Sequence, residues 1–123
     1  MTLKIGQSKE ITRTYTQEDM QDFAVLAGET ATVPTSVPGP LIGGLFSYLL
    51  GVELPGRGTN YLKQSLEFLG PAPVGQALTA SVTVSRLRPE KHLVDLETVC
   101  TTPDGTRICQ GRALVYVEDV GKD

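Results

Sequence analysis

Residues 33–51 read VPTSVPGPLIGGLFSYLLG, and they contain the most apolar segment of the chain. Its prolines lead into a run over residues 40–50 that is apolar nearly all round. The pattern predicts a helix there, because proline suits the first turn of a helix and Gly51 suits its end. Since a helix that is apolar on almost every side is buried on most of them, we expect it at the centre of the molecule.

The residues before this stretch predict a shorter, amphipathic helix over residues 16–27. Thr16 is a favourable N-cap, and Asp19 at the third helical position completes a variant of the capping box. Apolar residues recur at the spacing of one helix face, namely at Met20, Phe23, Ala24 and Ala27. Gly28 supplies a stop signal, and residues 29–38 predict a loop, because they contain two prolines and no helical period.

Alternating apolar and polar residues predict β-strands in the remainder of the chain. The predicted strands span residues 59–69, 77–87, 92–102 and 107–117, and residues 3–15 predict an edge strand. For the strand over residues 59–69 we expect one face with Leu62, Gln64, Leu66 and Phe68 and the other with Tyr61, Lys63, Ser65 and Glu67. This order of elements predicts an α+β fold with a single domain over residues 1–123, in which an antiparallel sheet wraps the central apolar helix.

Composition and charge narrow the class of protein. The net charge is −3, and the lysines and arginines are spread along the chain, so neither a nucleic acid nor a membrane surface is expected as a partner. No apolar run approaches the ~18–20 residues of a membrane span. The first residues lack the pattern of a secretory signal and the chain has two cysteines, which together favour the reducing cytoplasm.

Several sequence motifs point to a known family. The chain carries LFSYLLG at residues 45–51, LPGRG at 54–58 and YLKQSLEF at 61–68. In this order and spacing, the motifs resemble the MaoC-like hot-dog family, with the (R)-specific enoyl-CoA hydratases as the most similar group. The resemblance implies the hot-dog fold, usually paired as a dimer. It also implies acyl-CoA chemistry, in which water adds across a trans-2-enoyl thioester, with coenzyme A as part of the substrate and no separate cofactor.

The resemblance implies a thioester-binding site at the N-terminus of the central helix. Gly39 matches the family's glycine at that helix start, and it has no Cβ, so a thioester oxygen can approach its backbone N–H. Pro40 has no N–H to donate, which leaves Gly39 and the neighbourhood of Leu41 as the donors.

The acid–base motif of the family is absent from this chain. The hydratases carry D-x-N-P-x-H after the first helix, where the Asp and the His handle the attacking water, whereas this chain reads GETATVPTSVPG over a shorter connection. Glu29 falls at or next to the position of the Asp, and it is the catalytic candidate, with an exposed loop carboxylate as the alternative interpretation. No histidine follows it, and Pro38 stands where the family often has a second histidine. The chain's one histidine, His92, is expected to be a solvent-facing strand residue.

The remaining candidates have two interpretations each. The polar residues Ser47, Tyr48, Asn60 and Gln64 are substrate-binding candidates or packing and dimer-interface residues. Arg57 is a candidate contact for the phosphates of coenzyme A or a solvated arginine. Cys100 and Cys109 lie symmetrically about the PDGT turn, so they are expected to face each other, either as buried reduced thiols or as a disulfide. Two thiols without further Cys or His make no zinc site, so no metal is predicted.

Three functions are compatible with these residues. The first is a hydratase or dehydratase of enoyl and 3-hydroxyacyl thioesters that uses Glu29 alone. The second is a non-catalytic hot-dog subunit that binds acyl-CoA or supports a catalytic hot-dog chain, so that the partner is either a second copy or a different chain. The third is a thioesterase, which ranks last because the central helix carries no carboxylate.

Overall fold

The computed structural model describes residues 3–28, 32–56 and 58–118. Along these residues the strands and helices follow the predicted order. They are β1 (Ser8–Thr14), α1 (Gln17–Ala27), α2 (Gly39–Tyr48), β2 (Thr59–Phe68), β3 (Ala77–Arg88), β4 (Leu93–Thr101) and β5 (Arg107–Val117). The strand predicted over residues 3–15 is shorter, and the other predicted boundaries lie within one or two residues of the observed ones.

The five strands form one open antiparallel sheet in the order β1-β3-β4-β5-β2. The apolar face of this sheet covers α2, and the two together form the core. Its largest fully buried side chains are Phe46, Met20, Ile42, Leu49, Leu50, Leu54, Leu78, Leu96, Val82, Val84, Val94 and Val115. This α+β arrangement confirms the predicted hot-dog fold, with β1 and β2 as the edge strands. In the described part of the chain, no helix is long and apolar enough to cross a membrane.

The first helix confirms its predicted cap. The Thr16 hydroxyl accepts a hydrogen bond from the backbone N–H of Asp19 at 3.2 Å, and the Asp19 carboxylate accepts one from the N–H of Thr16 at 2.8 Å. These bonds satisfy two of the donors that a helix N-terminus leaves free. Of the predicted apolar face, Met20 and Ala24 are buried, whereas Ala27 is exposed.

The central helix does not end at Gly51. After Tyr48 the chain continues in a wider, π-type turn over Leu49–Glu53, and the N–H of Leu54 donates to the carbonyl of Leu49 at 2.7 Å. Leu49 and Leu50 are fully buried in this turn. The burial of these leucines extends the helical path past the glycine that the sequence indicated as a stop.

A β-bulge in β2 corrects the predicted faces of that strand. Tyr61 pairs with Val115 of β5 and Lys63 pairs with Leu114, so Leu62 is an extra residue without a partner of its own. Because one extra residue reverses the alternation of side chains, Tyr61 joins Gln64 on the face towards α2. Leu62, which was predicted on that face, is instead 55% exposed at the bulge.

Candidate functional site

Among the described residues, the N-terminus of α2 has one backbone donor without a backbone partner. Pro38 is the N-cap residue and forms no side-chain cap, and Pro40 has no N–H. The N–H of Leu41 already donates to the carbonyl of Pro38 at 3.1 Å. Among the described residues, the N–H of Gly39 therefore has no backbone partner in the first turn. It lies at the positive end of the helix, where an oxygen that carries negative charge is stabilised.

An aromatic ring borders this donor. A Cβ placed on Gly39 would lie 3.0 Å from Cζ of Phe68, the last residue of β2. The Phe68 side chain is 49% exposed, so one side of its ring faces the surroundings of the protein. A group that approaches the N–H of Gly39 therefore meets an apolar wall beside a polar donor, which is the composition of a typical small-molecule site.

Tyr15, which lies between β1 and α1, forms a hydrogen bond to the start of α2. The hydroxyl of Tyr15 donates to the carbonyl of Leu41 at 3.3 Å. Burial raises the pKa of Tyr15, and the nearby Arg13 guanidinium opposes that rise. The phenol thus stays protonated at neutral pH and remains a donor to the helix. Leu41 is a half-buried packing residue of the site, and its carbonyl accepts the hydrogen bond from Tyr15.

β2 runs along one face of α2 in the opposite direction. Gly39 lies beside the Phe68 ring. One helical turn later, a Cβ on Gly43 would be in ordinary contact with the side chain of Leu66 at 3.9 Å. Residues four apart share one helix face, so Ser47 continues this row. The polar side chains of Ser47 and Gln64 both lie near the hydroxyl of Tyr61, where they act to lower its pKa. The structure therefore brings two sequence-predicted candidates together through a residue that the sequence did not single out.

Tyr61 was missed because the bulge is not visible in the sequence. Uninterrupted alternation places Tyr61 away from the helix, and only the extra residue at Leu62 turns it inward. Burial raises the pKa of Tyr61, and the nearby polar side chains of Ser47 and Gln64 act in the opposite direction. This cluster lies two helical turns, or roughly 12 Å, from Gly39.

Two other candidates, Tyr48 and Asn60, do not belong to this row of contacts between α2 and β2. Tyr48 is 45% exposed on α2. Asn60 is exposed and pairs with Tyr116 of β5, on the sheet face that points away from α2. Val115, the residue before Tyr116 in β5, is fully buried on the α2 face. Because successive residues of a strand point to opposite faces, Tyr116 and its partner Asn60 lie on the other face, with the sheet between them and the helix.

His92 is not the solvent-facing strand residue that the sequence predicted. It adopts a left-handed conformation with φ of 57° after a short 3₁₀ turn, and it is half-buried. Its Nδ1 lies 2.7 Å from the carbonyl oxygen of Glu118, and its ring lies 5.4 Å from that of Tyr116. Tyr116 pairs with Asn60, at the opposite end of β2 from Phe68, so His92 lies roughly 26 Å along the strand from the start of α2.

The two cysteines face each other as predicted. Cys100 of β4 pairs directly with Cys109 of β5, and both are buried free thiols. Burial raises the pKa of Cys100 to about 11, with a further contribution from Cys109, and burial also raises the pKa of Cys109. Both thiols are protonated at neutral pH, which makes them poor nucleophiles. Within the described residues, no group of three or more His, Cys, Asp or Glu side chains could hold a metal ion.

Glu29 and Arg57 lie outside the described residues. Their predicted roles, as a catalytic carboxylate and as a contact for the phosphates of coenzyme A, stay predictions.

Comparisons with known proteins agree on one group of enzymes. The chain is 36% identical to an (R)-specific enoyl-CoA hydratase of Rhodospirillum rubrum, over 94% of this chain and 88% of the relative. It is 28% identical to a 3-hydroxybutyryl-CoA dehydratase of Methylorubrum extorquens, over 94% of this chain and 81% of the relative. The solved (R)-hydratase from A. caviae, described as involved in PHA biosynthesis, matches with a TM-score of 0.83 and 34% identity, over 94% of this chain and 97% of that one. No family model matches the chain.

Proposed function

The chain belongs to the family of the (R)-specific enoyl-CoA hydratases, and on this premise we propose that it takes up enoyl-CoA and 3-hydroxyacyl-CoA thioesters at the N-terminus of α2. The free N–H of Gly39 is the observation that carries the proposal. It would donate to the thioester oxygen, on which negative charge accumulates when water adds to the neighbouring double bond. The Phe68 ring would lie against the apolar part of the thioester.

The reaction we propose is reversible hydration, in which Glu29 as the base takes a proton from the attacking water, the hydroxyl adds to the β-carbon, and Glu29 as the acid returns the proton to the α-carbon. A carboxylate can do this where its surroundings raise its pKa towards neutrality. Purified protein should then consume crotonyl-CoA, as followed by the loss of enoyl absorbance. The variant Glu29→Gln should abolish the reaction while far-ultraviolet circular dichroism stays unchanged.

Glu18→Gln is the matched control for this experiment, because Glu18 is an exposed acid in the first turn of α1. The control should hydrate crotonyl-CoA at the wild-type rate. Equal rates in the wild type and in Glu29→Gln would refute the role of Glu29.

A second candidate function is a non-catalytic subunit that binds acyl-CoA or completes a catalytic hot-dog chain. The position of His92 favours it, because the chain's one histidine lies at the far end of the sheet from Gly39. Under this proposal the purified protein binds butyryl-CoA but leaves crotonyl-CoA unchanged until a catalytic hot-dog chain is added.

We further propose that β2 joins two chains, most simply two copies of this one, in the cytoplasm. The strand is ten residues long and lies at the edge of the sheet. It exposes Leu62 and Phe68 to 55% and 49%, and an edge strand with exposed apolar side chains offers both hydrogen-bonding groups and apolar area to a partner. Leu62→Lys should therefore lower the mass measured by light scattering, whereas Ile5→Lys, at a residue that is 68% exposed before β1, should not. A monomeric wild-type protein would contradict the pairing of two copies.

A further inference from the structure

The two cysteines lie one strand away from the start of α2. Cys100 pairs with Ala80 of β3 on one side and with Cys109 of β5 on the other. Cys109 in turn pairs with Phe68 of β2, whose ring borders Gly39. Because neighbouring strands are about 4.8 Å apart, a change at the pair of thiols is felt by a residue that forms the wall of the thioester site.

A second contact links this pair to the central helix. The hydroxyl of Tyr15 donates to the carbonyl of Leu41, in the first turn of α2, at 3.3 Å. Burial raises the pKa of Tyr15, and Cys100 is a smaller cause that acts in the same direction, so the thiol lies near the phenol. The pair is thus flanked by Tyr15 and Phe68, two rings that both touch the start of the helix.

The spacing of the two cysteines suits a disulfide. They are directly opposed in antiparallel strands, and both are free and buried. Opposed residues in such strands have Cα atoms about 4.5 or 5.5 Å apart, and a disulfide accepts Cα separations of about 4.4–6.8 Å. A bond between Cys100 and Cys109 can therefore form without moving the strands apart.

The pair also lies close to the exposed end of the β4–β5 hairpin. One register pair, Thr101 with Arg107, separates it from the turn. Residues 103–107 are exposed, and burial begins at Ile108. Local opening at the end of the hairpin brings the thiols into water, where burial no longer suppresses their ionisation. The closed hairpin therefore protects the thiols, and the opened hairpin lets them react.

We propose that Cys100 and Cys109 form a redox site, in which a low-molecular-weight disulfide oxidises the pair to an intrachain disulfide and thereby weakens thioester binding at the start of α2. The new bond draws the two sulfur atoms together, so the rings of Tyr15 and Phe68 repack against them. Since these rings contact the first turn of α2, the surroundings of the Gly39 N–H change with them. The inference rests on the proposed function, because it assigns control of that site.

The oxidation proceeds by thiol–disulfide exchange. In the opened hairpin, the thiolate of one cysteine attacks the small disulfide, forms a mixed disulfide and releases one small thiolate. The thiolate of the other cysteine attacks the mixed disulfide, closes the intrachain bond and releases the second small thiolate. Two electrons pass to the small disulfide, and the two protons that the cysteines lose are taken up by the released thiolates.

The first test locates the bond. Reduced wild-type protein is incubated with glutathione disulfide until its intact mass stops changing. We expect the loss of two hydrogen atoms and the return of the original mass after treatment with dithiothreitol. Trypsin cuts after Arg107, which lies between the two cysteines, so residues 92–107 and 108–112 become separate peptides. The two peptides should stay joined in the oxidised protein and come apart after reduction.

The second test measures the effect on binding. Butyryl-CoA is titrated by calorimetry into reduced, oxidised and re-reduced wild type. We expect the oxidised protein to bind about fivefold or more weakly, and the re-reduced protein to regain the original affinity. Cys109→Ala is the matched control, because it leaves Cys100 without an intrachain partner. Its affinity should be the same before and after incubation with glutathione disulfide.

The outcomes separate this inference from the proposed function. Thiols that stay free, or that form only mixed disulfides with glutathione or bonds between chains, would show that the redox site is wrong. An intrachain disulfide that leaves the affinity for butyryl-CoA unchanged would contradict it as well. In each of these cases, binding of butyryl-CoA by the reduced protein leaves the proposed function standing. Reduced protein that binds no butyryl-CoA refutes the proposed function, and the proposed control of binding fails with it.

Discussion

The ring of Phe68 lies against the backbone of Gly39, close enough that a Cβ on the glycine would be 3.0 Å from Cζ of the ring. This contact joins the end of β2 to the start of α2. It places an apolar wall beside the N–H of Gly39, which among the described residues has no backbone partner. The absence of a side chain at residue 39 is therefore a steric condition for the site, in addition to leaving the N–H accessible.

Gly39→Ala tests this contact. The new methyl group meets the far end of a half-exposed side chain, which can rotate away, so we expect the free energy of unfolding to change by less than about 1 kcal/mol. Because the displaced ring and the methyl group occupy the approach to the N–H, butyryl-CoA should bind more weakly by about tenfold. Gly44→Ala is the control, since a Cβ there meets nothing within 4 Å, and it should bind normally. Normal binding by both variants would contradict the assigned site.

Gly111→Ala should be far more damaging to stability. A Cβ on Gly111 would overlap the carbonyl oxygen of Ser65, which is backbone and cannot rotate away. Strands β5 and β2 would have to separate locally, and we expect a loss of about 3 kcal/mol in the free energy of unfolding, measured with urea. Gly70→Ala, where a Cβ meets nothing within 4 Å, should change it by less than about 0.5 kcal/mol. Similar losses in the two variants would argue against the close approach of the two strands.

Tyr61→Phe tests the polar cluster at the bulge. The substitution keeps the ring and removes the half-buried hydroxyl that lies near the polar side chains of Ser47 and Gln64, so we expect a loss of about 1 kcal/mol in the free energy of unfolding. Tyr48→Phe, at an exposed helix position, should cause almost no change. A variant Tyr61→Phe as stable as Tyr48→Phe would show that the cluster contributes nothing measurable.

The facing thiols predict a loss of stability at alkaline pH. Burial raises the pKa of Cys100 from its ordinary 9.0 to about 11, so the folded state keeps a proton that the unfolded state has lost. Stability is thus fully present below pH 9 and falls as pH rises towards 11, by up to about 1.4 kcal/mol per pH unit. The raised pKa values of Tyr15 and Tyr61 extend the decline above pH 10.

Urea unfolding as a function of pH measures this decline. Cys100→Val removes the titrating thiol from a buried strand position, so its stability should fall less between pH 9 and 11 than that of wild type. Parallel curves for the two proteins would show that Cys100 is not the group responsible.

The fold was predictable because its signals are local and strong. Thr16 and Asp19 form a capping box from adjacent sequence, and the pairing of Cys100 with Cys109 follows from the spacing around a tight turn. The bulge at Leu62 was not predictable, because an extra residue leaves the apolar–polar alternation intact and becomes visible only through the partner strand.

The candidate site was predictable only in part. The glycine at the helix start came from the resemblance, but the contact between Gly39 and Phe68 joins residues 29 positions apart in sequence, and no local pattern encodes it. The same holds for the half-buried position of His92, which depends on the carbonyl of Glu118 from the end of β5. Tertiary contacts of this kind override expectations drawn from a single segment.

Binding of a thioester oxygen to the N–H of Gly39 can be followed by backbone amide NMR spectra of isotope-labelled protein during titration with butyryl-CoA. We predict that the Gly39 amide proton shifts downfield with increasing ligand, because it gains a hydrogen bond, and that the Phe68 ring resonances shift with it. Saturable binding of butyryl-CoA that leaves the Gly39 amide and the Phe68 ring unchanged would contradict binding at this N–H.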